Sequence, residues 1–219
     1  MSAGSTHTRT PRWQRRPAER SEEISAAALR VFARRGLHQT TLDDVAKEAG
    51  VSKGTIYLYF KNKEDVFIAA AQQVVPTLDE LVSKRPASPG EMNLDLTLRA
   101  VARTMYRRFR TPTYLAFFGL IAAETLRHPE WGQLYFERIV LALNRRLAEL
   151  LQNAMANGLA RKLDPILTAR AFAGMFLIMA VTQEHFGGKR LTPFSEKHII
   201  DSLTDLFLHG IEPKKEKRA

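Results

Sequence analysis

The chain has 219 residues, 45% hydrophobic and 9% aromatic, with 33 Lys and Arg against 23 Asp and Glu and a net charge of +10. This is a globular composition, long enough for one or two domains with a real core, and it excludes the weakly hydrophobic disordered class. There is no cysteine, which excludes a disulfide scaffold, thiolate metal sites and a cysteine nucleophile.

Residues 1–20 hold Arg9, Arg12, Arg15, Arg16 and Arg20 against Glu19, and the last eight hold Lys214, Lys215, Lys217 and Arg218 against Glu212 and Glu216. Positive charge gathered at the ends points to a polyanion as partner. Residues 1–20 read as a flexible basic tail and 212–219 as a second one. The longest apolar run, 171–181, is well short of the roughly 20 residues that span a bilayer. The charged N-terminus has no apolar stretch of the kind a secretory signal needs. A soluble, cytoplasmic chain with no membrane partner is expected.

From Ser21 the pattern becomes helical. Ile24, Ala28, Val31 and Phe32 form one stripe of a helix that ends at Gly36. A short second helix starts at Thr41, whose hydroxyl can cap it while Asp44 sits three residues on, as in a capping box. Leu42, Val45, Ala46 and Ala49 form its inner face and Gly50 stops it. Ser52 can cap a third short helix through Tyr59. A fourth opens at Lys63-Glu64-Asp65 and runs with Val66, Ala70, Val74 and Leu78 towards Lys84, with a kink expected at Pro76. The stretch 85–90, rich in proline, is the clearest internal break. Beyond it, helices are expected at about 91–110, 112–127, 130–157, 165–186 and 194–210, bounded by Pro and Gly. No run of period-two alternation and no internal repeat is found. The expected fold is all-α, with a helix-turn-helix domain at 21–66 and a helical bundle at 67–211.

Two short helices joined by Ala49-Gly50-Val51-Ser52 make a helix-turn-helix, whose second helix enters a DNA major groove. Its inside must be apolar, which Val45, Ala46, Val51 and Ile56 supply. Lys53, Gly54, Thr55, Tyr57 and Tyr59 remain outside. Lysine donates to guanine or phosphate oxygens, glycine admits close backbone approach, and threonine and tyrosine offer hydroxyls with apolar surface for a thymine methyl. Lys63 lies where an ammonium and a helix N-terminus together favour a phosphate.

At these residues the resemblance is specific. Thr40-Thr41-Leu42-Asp43-Asp44-Val45-Ala46, followed by Ala49-Gly50-Val51-Ser52-Lys53-Gly54-Thr55-Ile56-Tyr57-Leu58-Tyr59-Phe60-Lys61-Asn62-Lys63-Glu64-Asp65, resembles the DNA-binding block of the TetR/AcrR family of transcriptional regulators. The resemblance implies a homodimer on a palindromic operator of double-stranded DNA, with an effector pocket inside the C-terminal helices and a fourth helix that moves when the effector binds. It implies base contacts from Lys53, Gly54, Thr55 and Tyr57, and phosphate contacts from Thr41, Tyr59 and Lys63.

Other motifs lead nowhere. Gly50-Val51-Ser52-Lys53-Gly54 spells the nucleophile elbow of α/β-hydrolases, which needs a strand before it; here a capped helix precedes it. Gly187-Gly188-Lys189 lacks the upstream glycine of a phosphate loop, since Gln183 stands there. The six histidines are scattered, and only Glu184-His185 sets a carboxylate beside an imidazole, so no metal site is expected. With no paired carboxylates and no cofactor loop, the chain reads as no enzyme and needs no cofactor.

An effector pocket, small and apolar or amphipathic in its ligand, would draw on methionines and aromatics. Candidates are Met105, Phe109, Phe117 and Phe118 in the first half of the bundle, then Trp131, Tyr135 and Met155. Phe172, Met175, Phe176 and Met179 complete the set. The same residues suit an ordinary core. The last two helices carry more apolar surface than one bundle stripe needs. Ile199, Leu203, Leu206 and Phe207 are therefore the candidate dimer face, as the resemblance also implies. The reading is a ligand-released repressor; the alternative is an architectural DNA-binding protein without an effector.

Overall fold

The computed structural model describes residues 17–75 and 93–213. Both basic tails, the expected kink at Pro76 and the break at 85–90 lie largely or wholly outside these residues. Among the described residues there is no strand, and the all-α expectation holds.

Helix α1 (Pro17–Arg35) opens on proline, four residues before the expected start, because a missing N–H costs nothing in the first turn. It buries Ile24, Ala28, Val31 and Phe32. Helix α2 (Leu42–Ala49) has the capping box that its sequence spells: the Asp44 N–H donates to the Thr41 hydroxyl, and the Thr41 N–H donates back to the Asp44 carboxylate at 3.0 Å. Gly50 ends it in the left-handed conformation, φ 66°. Ser52 caps α3 (Lys53–Tyr57) and Asn62 caps α4 (Lys63–Val74) in the same manner. Helix α4 ends at Val74, and Val75 is extended, the conformation that a following proline imposes on its neighbour.

The remaining elements are α5 (Leu94–Phe109), α6 (Pro112–Thr125), α7, α8, a single turn α9 (Gly188–Leu191) and α10 (Glu196–Ile211). Helix α7 runs from Pro129–Tyr135 through a π-helical turn, Phe136–Val140, into Leu141–Ala156. Helix α8 spans Pro165–Ala180 and closes on a second π turn, Val181–His185. Over Pro165–His185 it is long and apolar enough to cross a membrane by length and composition alone, a test that the core helix of a globular protein also passes. One face of it, with Ala169, Phe172, Phe176 and Ala180, is packed into the protein.

One continuous core runs from Ile24 to Ile211, so the helix-turn-helix and the bundle share it. Phe67 of α4 stands at the junction. Its ring lies edge-on to Phe32 of α1 and Trp131 of α7, and stacks on Phe117 of α6. A polar joint sits beside it: the Leu37 N–H donates to the Glu124 carboxylate of α6 at 3.2 Å. Gly36 makes that joint possible. Its φ is 80°, and a Cβ there would collide with Glu124 Oε1. Gly36→Ala is expected to cost about 1–2 kcal/mol from the left-handed backbone alone, plus the displaced hydrogen bond. A thermal melt checks this; an unchanged Tm would mean the turn relaxes freely.

Candidate functional site

Ile56, fully buried, pins α3 against α2, which fixes what α3 can present. Lys53, Gly54, Tyr57 and Leu58 face solvent, with Tyr57 53% and Leu58 79% exposed. Thr55 is half-buried at the rim, its hydroxyl 2.9 Å from that of Ser52. The Lys53 ammonium donates to Asp43 at 2.8 Å, and this hydrogen bond raises its pKa. An exposed pair of this kind is weak and readily traded for a DNA anion. Leu58, absent from the sequence-derived set, is exposed beside Tyr57, and nothing in the sequence distinguishes it from the buried apolar residues around it.

The other expected contacts are already engaged within the protein. Thr41 spends its hydroxyl on the α2 cap. Tyr59 is half-buried against the core. Lys63 donates to the carbonyl oxygens of Leu37 and His38, both at 2.9 Å, and sits 5.2 Å over the Trp131 ring. Burial lowers its pKa. Two of its three N–H groups therefore hold the joint between α4, the α1–α2 turn and α7.

The scaffold beneath the exposed α3 surface is braced by charge. Glu48 of α2 accepts from Arg34 and Arg30 of α1, which pull its pKa from 4.5 down to about 2. Asp44 is lowered too, chiefly by its hydrogen bonds from Thr41 and then by Arg35. A depressed carboxylate stabilises the fold above its unfolded pKa and loses that contribution as pH falls through the folded one. The Tm at low salt is thus expected to fall between pH 4.5 and about 2, and Glu48→Gln to flatten that slope. An identical slope in the variant would remove Glu48 as a cause.

The bundle holds a partly open cavity of about 190 Å³. It is walled by Met105 and Phe109 of α5, Tyr114 and Phe118 of α6, Tyr135, Val140, Leu143, Asn144 and Leu147 of α7, and Arg170, Ala173, Gly174 and Leu177 of α8. Val75, just past the end of α4, closes one side. Of the sequence-derived candidates, Met105, Phe109, Phe118 and Tyr135 meet here. The others do not: Phe117 and Trp131 pack on Phe67, Phe172 and Phe176 are fully buried in the core, and Met155, Met175 and Met179 flank it. Tyr114, Asn144 and Arg170 were missed. Regular helix geometry sets residues nine apart on opposite faces, and the π turn in α7 brings Tyr135 and Asn144 to one cavity.

The Tyr114 and Tyr135 hydroxyls are hydrogen-bonded to each other, and burial raises both pKa values, that of Tyr135 to about 12. Both are neutral at pH 7.

Ile199 and Phe207, expected at a dimer face, are instead turned inward; Phe207 packs 4.7 Å from Phe172. Helix α10 uses that stripe for its own core. Leu203 is partly buried, and Leu206 alone of the four stands 66% exposed. The exposed apolar stripe lies mainly on α8, where Leu167, Ala171, Gly174 and Ile178 recur at helical spacing.

Three donors also converge, one from the α1–α2 turn and two from the start of α7. His38 and His128 stack with ring centroids 3.8 Å apart, and Glu130 Oε1 lies 3.5 Å from His128 Nδ1.

The model of bacterial regulatory proteins of the tetR family matches residues 24–70, and that of the AefR-like transcriptional repressor C-terminal domain matches 96–210. The HTH-type transcriptional regulator YfiR of Bacillus subtilis is 30% identical over 70% of this chain and 74% of its own. The fatty acid metabolism regulator protein of the same organism is 38% identical, over 37% of this chain and 43% of its own. Among solved structures, the flavonoid-responsive regulator FrrA is 29% identical with a TM-score of 0.64, over 90% of this chain and 100% of its own.

Proposed function

The chain belongs to the TetR family of transcriptional regulators, and from that premise we propose that it is a cytoplasmic repressor that grips a palindromic operator as a homodimer and releases it when a small molecule fills the bundle cavity. The observation that carries this is the path between the two sites. Val75 lines the cavity at one end of α4, and Lys63 holds the helix-turn-helix joint at the other.

A ligand that fits better when Val75 is displaced favours a form with α4 shifted. Shifting α4 drags Lys63 and Phe67, hence the position of α3. For a dimer whose recognition helices must lie about 34–36 Å apart, a coupling of roughly 1–3 kcal/mol weakens operator binding about 5–150-fold. Base contacts fall to Lys53, Gly54, Thr55 and Tyr57, with Leu58 added as an apolar contact. Phosphate contacts fall to Tyr59 and the remaining N–H of Lys63, while Thr41, whose two donors are held by Asp44, would have to leave its cap to make one.

Dimerisation is supported by the α8 stripe. An apolar helix face left to water calls for a partner, and an isologous two-fold contact is the commonest solution. A second copy would meet along Leu167, Ala171, Gly174 and Ile178 of α8, with Leu206 of α10. The name of FrrA, a relative of the same fold, supports an amphipathic organic effector.

Sedimentation of the chain alone and with operator tests the assembly. Two protomers per duplex are expected, and Leu167→Glu with Ile178→Glu should yield monomers that no longer hold operator. A wild-type monomer that binds operator one-to-one would contradict the dimer.

A further inference from the structure

We propose that Asn144 reads the effector, and that the effector is a molecule of about single-ring size carrying a hydroxyl, carboxamide or carboxylate group and no positive charge. This rests on the cavity being the effector site. Asn144 is only 6% exposed and lines the cavity, and its amide has no hydrogen-bond partner among the described residues. A side-chain amide brings two donors and an acceptor, and burying them unpaired is costly unless something else pairs them. Around it the wall is apolar: Met105, Phe109, Phe118 and Leu143.

Tyr114 spends its O–H on the Tyr135 oxygen, which leaves one tyrosine donor, whereas the amide brings two donors and an acceptor and is the principal reader. Among the described residues no carboxylate lines the cavity, and the charged group there is Arg170, whose guanidinium lies 5.2 Å over the Phe136 ring. A cation would therefore be buried without a counter-ion, whereas an anion has one. A dry cavity of about 150 Å³ takes benzene; one of about 190 Å³ takes a ring with a short substituent.

Calorimetric titration of the full-length protein with 4-ethylphenol, ethylbenzene and benzylamine tests this. Ethylphenol is expected to bind about tenfold more tightly than ethylbenzene, and benzylamine not at all. Asn144→Leu, close in volume, should abolish the preference and raise the Tm of the ligand-free protein. If the wild type binds ethylphenol and ethylbenzene equally, or the variant keeps the preference, Asn144 is not the reader while the cavity still takes ligands. If none of the three binds, the effector reading of the cavity falls with it.

A separate observation carries a second site. We infer that His38, His128 and Glu130 form a site for a borderline divalent ion such as Zn²⁺ or Ni²⁺. Their donor atoms all lie within 4.8 Å of one another, and two imidazoles with a carboxylate are the donor set such ions favour. Metal–ligand bonds of about 2.0–2.2 Å would draw the three inward. His38 sits in the α1–α2 turn, while His128 directly precedes α7 and Glu130 lies in its first turn, so a bound ion ties the helix-turn-helix to the bundle. The Lys63 ammonium nearby is engaged by the His38 carbonyl.

Titration of untagged, chelator-treated full-length protein with zinc sulfate or nickel chloride should give one ion per protomer and a raised Tm. His38→Ala and His128→Ala should each abolish this, and His209→Ala should not. No binding by the wild type, or binding unchanged in the His38→Ala/His128→Ala double variant, would overturn the site.

Discussion

Phe67→Ala is expected to be the most damaging single change in the described part of the chain, costing about 3–5 kcal/mol. The ring is fully buried, with its centroid 5.2 Å from that of Trp131, 5.9 Å from Phe117 and 6.3 Å from Phe32. These neighbours come from α7, α6 and α1, so collapse around the void would need three helices to move together. At roughly 2–4 °C per kcal/mol for a chain of this size, the Tm should drop by about 6–20 °C. The effect should also be qualitative. Phe67 joins two units that otherwise share few rings, so their melting should separate, with helix-turn-helix signals lost first. A single cooperative transition with the full loss of Tm would show that the cavity weakens the core without uncoupling its halves.

The second large effect concerns DNA. Tyr57→Ala and Thr55→Ala are each expected to cost about 1–3 kcal/mol of operator affinity and to relax the preference at particular base pairs. Tyr57 offers a hydroxyl and a ring from a surface that nothing else in the described chain covers. Thr55 is held by Ser52, so its methyl is pre-aimed, and its variant should lose discrimination with little change in the salt dependence. Lys63→Ala should behave differently. Since Lys63 braces the joint through two carbonyls, its loss should lower the Tm as well as weakening all DNA sequences alike. Equal base preferences in all three variants would displace α3 from the groove.

Much of the fold was legible because caps and breakers are local chemistry. Thr41, Ser52 and Gly50 act within three or four residues of themselves, so sequence alone places α2 and α3. The pre-proline residue Val75 shows the same locality: a kink was expected at Pro76, and the helix ends before it because the constraint falls on the residue in front.

What could not be read is what depends on which face of a helix turns where. Ile199 and Phe207 are as apolar as a dimer face requires, and only their burial in the fold, Phe207 against Phe172, assigns them to the core. The π turn at Phe136–Val140 shifts the register of α7 and so hides Asn144 from any count at regular helical spacing. Lys63 looked like a free cation because its partners, Leu37 and His38, are backbone carbonyls some 25 residues away. His38 and His128 meet only in three dimensions.

Selection of binding duplexes from a randomised pool at near-physiological salt, followed by footprinting of the winner, tests the central claim most directly. A sequence-reading dimer should enrich a palindrome whose half-sites lie about one helical turn apart, protected by two protomers. Uniform, steeply salt-dependent binding with no enriched sequence would contradict it. That outcome would make the protein an architectural binder held by its basic tails.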